Sequence, residues 1–349
     1  MSHLAGTVVL ETQKERNDAM GKKELSVVIA VVVVTVVIAL LWVSRPAPED
    51  GLYHVGITQL MTNPGIDAIR DGFLDEMSKL GYIEGENIRY TLRNAQGDQS
   101  ISQSIAQSFV NARCDMIFAI TTPSAQVSAR AIVGTNIPLV FGAVTDPVTA
   151  GLVDSLERPG GNITGTSDRW PTSAQFDLLL QLRPDVRRIG VVYNPGEANS
   201  DDNMREVEKV CADKGLQIVT VAVSNTSEVL AAAQSLVGRV DAFYVSADNT
   251  VITAMDAVVR VSEQNKIPLL PGVSSNVEQG GFGTLGPNYF DVGVEAARIA
   301  DRIIKGENAG DIPVATAKRF EYFFNLRSAE ATGVVIPDSL LEQATHIYR

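Results

Sequence analysis

Residues 114–143 read CDMIFAITTPSAQVSARAIVGTNIPLVFGA. An apolar run, CDMIFAI (114–120), ends at two threonines and a proline; TTPSAQVSAR (121–130) opens a helical stretch, and a second apolar run, IPLVFGA (137–143), follows it. Short apolar runs of this kind are strands, and two strands bracketing one helix form a parallel strand-helix-strand unit. The same alternation extends outward to YHVGITQ (53–59) and NIRYTLR (87–93) on one side, and to RRIGVVYN (187–194), LQIVTVAV (216–223), DAFYVSA (241–247) and IPLLPG (267–272) on the other. Such a chain is α/β with parallel sheets. Helix boundaries carry their own signals: Pro64 opens a helix reaching Leu80 with Gly81 to close it, and Gly215 ends a helix over 200–214.

Eight strands fall into two sets of four, and the roughly 300 residues after Ser44 exceed what one core usually serves. Two Rossmann-like lobes follow, with the first crossing in the turn-rich PGGNITGTSD (159–168). GGFGTLGPN (280–288), the helix predicted over 291–305 and FEYFFNL (320–326) supply a return and a third crossing. The expected division is 53–165 plus about 288–322 for one lobe and 166–287 plus about 323–349 for the other. A multi-strand hinge then leaves a cleft over the strand C-termini, where open α/β sheets hold ligands.

Ahead of this region, LSVVIAVVVVTVVIALLWVS (25–44) carries no charge and is long enough to cross a bilayer as a helix. Lys22 and Lys23 precede it, so residues 1–24 are expected in the cytoplasm, 45–52 as a linker and the rest outside the cell. The run exceeds the usual secretory core, and RPAPED (45–50) matches a cleavage site poorly, which favours an uncleaved anchor over an export signal. Met20 begins a more conventional signal than Met1, and the start stays open between them.

Net charge is −12, with four basic and four acidic side chains cancelling within residues 1–24, so the excess acid lies beyond them. Such a surface repels phosphate backbones and speaks against nucleic-acid binding. Cys114 and Cys211 make no disulfide framework, and His3, His54 and His346 are scattered along the chain. Phosphate-loop, GxSxG, HExxH and zinc-site cysteine signatures are absent and no GxGxxG is well placed, so an enzyme, a cofactor and a metal site are not expected.

VGITQLMTNPGIDAIRDGF, VTDPVTAGLV followed by RPGGNITGTSD, IGVVYNPGEANS, YVSADNTV and NLRSAEATGVVIP occur in order over residues 51–345. In these motifs the chain resembles the ABC-transporter solute-binding family that includes the tryptophan-binding protein of Gram-positive bacteria. That resemblance implies a type I periplasmic-binding-protein fold, an amino acid as solute, aromatic ones in particular, and ABC permease and ATPase partners. The N-terminus departs from the lipoprotein pattern, since no cysteine follows the apolar run. A membrane-tethered sensing ectodomain with a separate signalling partner is the alternative.

Each strand-end loop offers groups for such a solute. Thr121, Thr122 and Ser124 at a helix start suit a carboxylate, although they would serve equally as caps. Asp248, with Asn249 beside it, suits an ammonium or caps the next helix. Gln59 and Met61 end the first strand; Thr145 and Asp146 follow the fourth, where Asp-Pro is also a turn pair. Asp168 and Trp170 sit at the first crossing, Asn194 and Glu197 after the fifth strand, and Tyr289 after the GTLGP crossing. A carboxylate seat opposed to an ammonium seat fits a zwitterion.

Overall fold

The computed structural model describes residues 51–349; the expected cytoplasmic segment, membrane span and most of the linker lie outside them. Among the described residues no helix is long and apolar enough to cross a membrane. The chain divides into Met1–Gly51 and Leu52–Arg349, and the second unit carries the fold.

Its strands in chain order are β1 (Tyr53–Gln59), β2 (Ile88–Asn94), β3 (Met116–Ile120), β4 (Leu139–Gly142), β5 (Ile163–Ser167), β6 (Arg188–Tyr193) and β7 (Gln217–Ala222). There follow β8 (Ala242–Val245), β9 (Leu269–Pro271), β10 (Gly283–Gly286), β11 (Ala315–Thr316), β12 (Glu321–Asn325) and β13 (Ala344–Tyr348). A six-stranded sheet runs β11-β5-β4-β3-β1-β2 and a four-stranded one β7-β6-β8-β9. Every neighbour in both sheets is parallel. β10, β12 and β13 form a third, mixed sheet.

The eight expected strands form, β1 with its expected bounds, β2 one residue later, and the other six trimmed by one or two residues at one or both ends. The crossings PGGNITGTSD, GGFGTLGPN and FEYFFNL are themselves strands, β5, β10 and β12, because their backbone groups are buried and need partners. β11 and β13 were not anticipated; the first is two residues long and the second is nowhere fully buried, so neither carries a strong apolar pattern. The helical stretch that follows Asp248 breaks at Ala254 into Asn249–Thr253 and Met255–Asn265.

The two parallel sheets share one order: the second strand of each set outermost, then its first, third and fourth. In each, order reverses beside the first strand, between β1 and β3 and between β6 and β8, and loops diverge there to leave a crevice. The chain passes between the half built on the first sheet and the half built on the other two three times, after β5, after β10 and between β11 and β12.

The returning helix Tyr289–Ile304 lies directly on Pro64–Lys79. A Cβ on Gly72 would meet the Phe290 carbonyl oxygen at 2.1 Å, and one on Gly293 would meet that of Ile69 at 2.0 Å. Only glycine permits this backbone contact, which holds Tyr289, at the head of the helix, against the crevice. Cys114 and Cys211 are free and buried, and burial pushes both thiols up, to about 12 and about 11.

Candidate functional site

Six strand ends and two crossings converge on a small cavity of about 40 Å³. Its floor on the first half is built after β3. Thr121 sits at φ +84, a conformation that L-residues rarely adopt, and its side chain makes no capping bond to the helix Thr122–Ala131. Capping therefore does not account for the hydroxyls: Oγ1 of Thr121 and of Thr122 are both buried without a partner. They stand beside the free N-H groups of a helix N-terminus, a favourable place for an anion. Ala143, after β4, also lines the cavity with a positive φ of +54. Strain of this kind persists where the surrounding structure over-determines it, commonly at ligand sites.

Asp168, at the end of β5, supplies the opposite charge. It is 3% exposed, its Oδ2 accepts from the Tyr289 hydroxyl at 2.8 Å, and its Oδ1 has no partner. Burial raises its pKa, partly opposed by hydrogen bonds that include the Tyr289 hydroxyl and Thr145. No Lys, Arg or His among the described residues forms an ion pair with it. A desolvated acid with one free oxygen facing a cavity is a receptor for a cationic donor.

Apolar walls come from Ile66 and Ile69 on one side and Ile252 and Val273 on the other. The second half contributes one further open polar atom. Asn199 is 5% exposed and lines the cavity; its Nδ2 donates to the Ala247 carbonyl at 2.5 Å, and its Oδ1 is unpartnered.

Of the residues singled out in the sequence, Thr121, Thr122, Thr145, Asp168, Asn249 and Tyr289 line the cavity. The remainder are placed elsewhere. Asp248, expected to meet an ammonium, accepts from the Asn194 N-H at 2.5 Å, the Ser200 hydroxyl at 2.6 Å and the Val251 N-H at 2.9 Å, and so caps the helix Asn249–Thr253. Glu197 accepts from the Asn249 and Thr250 N-H groups and from both side chains. Glu197 thus accepts four bonds and Asp248 three, so both acids are spent chiefly on holding these loops together. Burial, and then the Glu197 charge, push Asp248 up to about 7. Asn194 spends its side chain on Thr250 and Gly196.

Gln59 is saturated by Met61, Asp67 and Arg70. Met61 meets the Thr253 hydroxyl across the halves through its Sδ. Asp146 accepts from the Val148 and Thr149 N-H groups and pairs with Arg169, the turn role that Asp-Pro also allowed. Trp170 donates to the Tyr244 hydroxyl at 3.1 Å within the second half. Ser124 is buried in the helix's first turn, outside the lining. Among the described residues no group of His, Cys, Asp and Glu could hold a metal.

Sequence reasoning missed Asn199 and the apolar walls. Asn199 lies in the first turn of the helix after β6 as Thr122 lies in that of the helix after β3, so the available signal was a polar side chain at a helix start that follows a strand. A larger cavity, about 330 Å³, lies between Tyr289–Ile304 and residues 315–321 and is lined in part by the crossings, at Thr166, Ser167, Pro287, Asn288 and Glu321. Its lining includes no unpartnered buried side-chain atom, so the smaller cavity carries the chemistry.

Residues 54–348 match the family model described as ABC transporter substrate binding protein. Over 272 residues, 78% of each chain, the sequence is 39% identical to the tyrosine-binding protein of Clostridioides difficile strain R20291. An L-Trp complex of an ABC domain from Streptococcus pneumonia superposes with a TM-score of 0.81 at 31% identity, covering 85% of this chain and 99% of that one. The ligand-free, open structure of a Clostridium difficile substrate binding protein with adhesive properties superposes at 0.66 with 37% identity, covering 85% and 99%.

Proposed function

The chain belongs to the ABC transporter substrate-binding protein family, and from that membership we propose that it captures an aromatic amino acid between its two halves. Its relatives are solute-binding proteins, not enzymes, and its fold is the type I periplasmic-binding-protein arrangement. One observation carries the reading of the solute: a buried acid with a free oxygen, Asp168, lines one small cavity with two unpartnered threonine hydroxyls at a helix N-terminus. Those are seats for the ammonium and the carboxylate of one zwitterion.

The cavity, at about 40 Å³, is far smaller than the few hundred Å³ typical of ligand pockets, so the solute enters a more open form. The better superposition on the tryptophan-bound relative than on the open one, despite lower sequence identity to the former, supports reading the present form as closed. Binding then works as a population shift: the solute touches both halves and stabilises the closed arrangement, with the three crossings as hinges. The expected bounds, 53–165 plus about 288–322 and 166–287 plus about 323–349, shift slightly in this account so that all of β5 and Asp168 stay with the first half, and the ammonium role moves from Asp248 to Asp168.

Residues 25–44 hold the chain at the membrane, with the binding region on the extracytoplasmic side, and the loaded protein delivers its solute to an ABC permease and ATPase. The valine-rich run and the lysines before it support that topology. Thermal-shift screening of the full chain against amino acids, sugars, purines and short peptides tests the function, since a ligand at 100 times its Kd adds about 2.7 kcal/mol of stability. Stabilisation by a sugar or peptide and by no amino acid would overturn the reading.

A further inference from the structure

With Asp168 taking the ammonium and the threonines the carboxylate, one buried polar atom of the cavity is left unassigned: Oδ1 of Asn199. Its orientation is determined. Nδ2 donates to the Ala247 carbonyl at 2.5 Å, and exchanging the two amide atoms would set oxygen against oxygen, so Oδ1 must face away from Ala247. It is not satisfied by its neighbour one turn along the helix either, because Asn203 keeps its own Nδ2 buried and unpartnered. An amide oxygen only accepts, so its missing partner is an N-H or O-H donor.

The atom belongs to the second half, whereas Asp168 ends β5 of the first sheet and the threonines follow β3. The other second-half residues of the lining cannot supply a donor in its place: Ala247, Ile252 and Val273 have no polar side chain, and the Nδ2 of Asn249 is engaged by Glu197. A donor on the solute, on the part of it that reaches the second half, would complete this atom's bonding.

Resting on the amino-acid reading above, we propose that Asn199 is a specificity-determining acceptor, and that the solute is an aromatic amino acid whose ring carries a hydrogen-bond donor, a phenol or an indole. Phenylalanine, of similar shape but without a donor, leaves Oδ1 buried and unpaired. A site built to hydrogen-bond a ring donor rejects the analogue that lacks it far more strongly than an apolar pocket rejects a missing methylene. The expected penalty is roughly 5-fold to 150-fold in affinity, from the cost of one unpaired buried acceptor.

The test is calorimetry on the full chain with two donor and non-donor pairs: L-tyrosine against L-phenylalanine, and L-tryptophan against its benzothienyl isostere, in which sulfur replaces the indole N-H. The expected result is a preference for the donor member in at least one pair, lost in Asn199→Leu, which has similar volume and no acceptor. Equal affinity within both pairs in the unmodified protein overturns the inference while leaving amino-acid capture intact. So does a uniform loss across all four ligands in Asn199→Leu, which would make Asn199 a contact to the common backbone end. Failure of all four to bind removes the amino-acid reading and this inference with it. The comparison within the unmodified protein decides the question even if the variant does not fold.

Discussion

Replacing Asp168 by Asn should separate stability from binding in opposite directions. The carboxylate is 3% exposed, shares one oxygen with Tyr289 at 2.8 Å and has no cationic partner among the described residues. Without solute its ionised form is disfavoured, chiefly by burial, which raises its pKa. Asparagine has nearly the same shape and can still accept the Tyr289 hydroxyl, but offers the ammonium either a neutral oxygen or a repelling N-H. Losing a desolvated charge pair costs about 2 to 5 kcal/mol, so amino-acid affinity should fall roughly 30-fold to several thousand-fold. A des-amino analogue, the corresponding aryl propionate, should lose nothing.

The pH dependence follows from the same group. A folded pKa raised above the unfolded one gives a stability contribution fully present below about 3.9 and lost as pH rises through the folded value. The empty protein should therefore lose stability over that window, and Asp168→Asn should flatten this part of the curve. Amino-acid affinity should climb over the same window, with proton release visible as a buffer-dependent calorimetric enthalpy. Affinity within threefold of the unmodified protein, or equal losses for the amino acid and its des-amino analogue, would refute the assignment.

Tyr289→Phe removes the donor to a buried carboxylate, worth about 1.5 to 3 kcal/mol; calorimetry should show affinity reduced roughly 10- to 150-fold and its rise with pH displaced to higher pH. Gly65→Val probes closure, because a Cβ there would lie 2.7 Å from the Ser275 Oγ of the opposite half. Overpacking of about 1 to 3 kcal/mol in the closed form alone should weaken binding, and small-angle scattering should show the variant staying expanded at solute concentrations that compact the parent. Asp248→Ala removes a cap and a loop anchor worth about 1 to 2 kcal/mol, lowering the denaturation midpoint with little change in affinity beyond that of the folded fraction. With Asp248 pushed up to about 7, its contribution to stability is fully present below about pH 3.9 and is lost as pH rises toward 7. Denaturant titrations at pH 5 and 8 should show that loss in the parent and less of it in Asp248→Asn.

Much of the fold was legible because its signals are local. Apolar runs such as MIFAI and LVFG, a proline opening a helix at Pro64 and glycines closing helices at Gly81 and Gly215 each depend on a few neighbouring residues. So was the site's neighbourhood, since parallel sheets put their crevices at strand C-termini, and six of the residues proposed there line the cavity.

Only the tertiary structure decided which polar groups were free. Asp248 and Asp168 look alike in sequence, each an acid at a strand end. The first has one oxygen taken by Asn194 and Ser200, about fifty residues earlier, and the other by its own helix's Val251 N-H, while the second is held on one oxygen by Tyr289, 121 residues later. Sequence spacing determines which side chains start a helix or end a strand. Whether their lone pairs are already spent depends on which remote segments fold against them, and that is a property of three-dimensional packing alone.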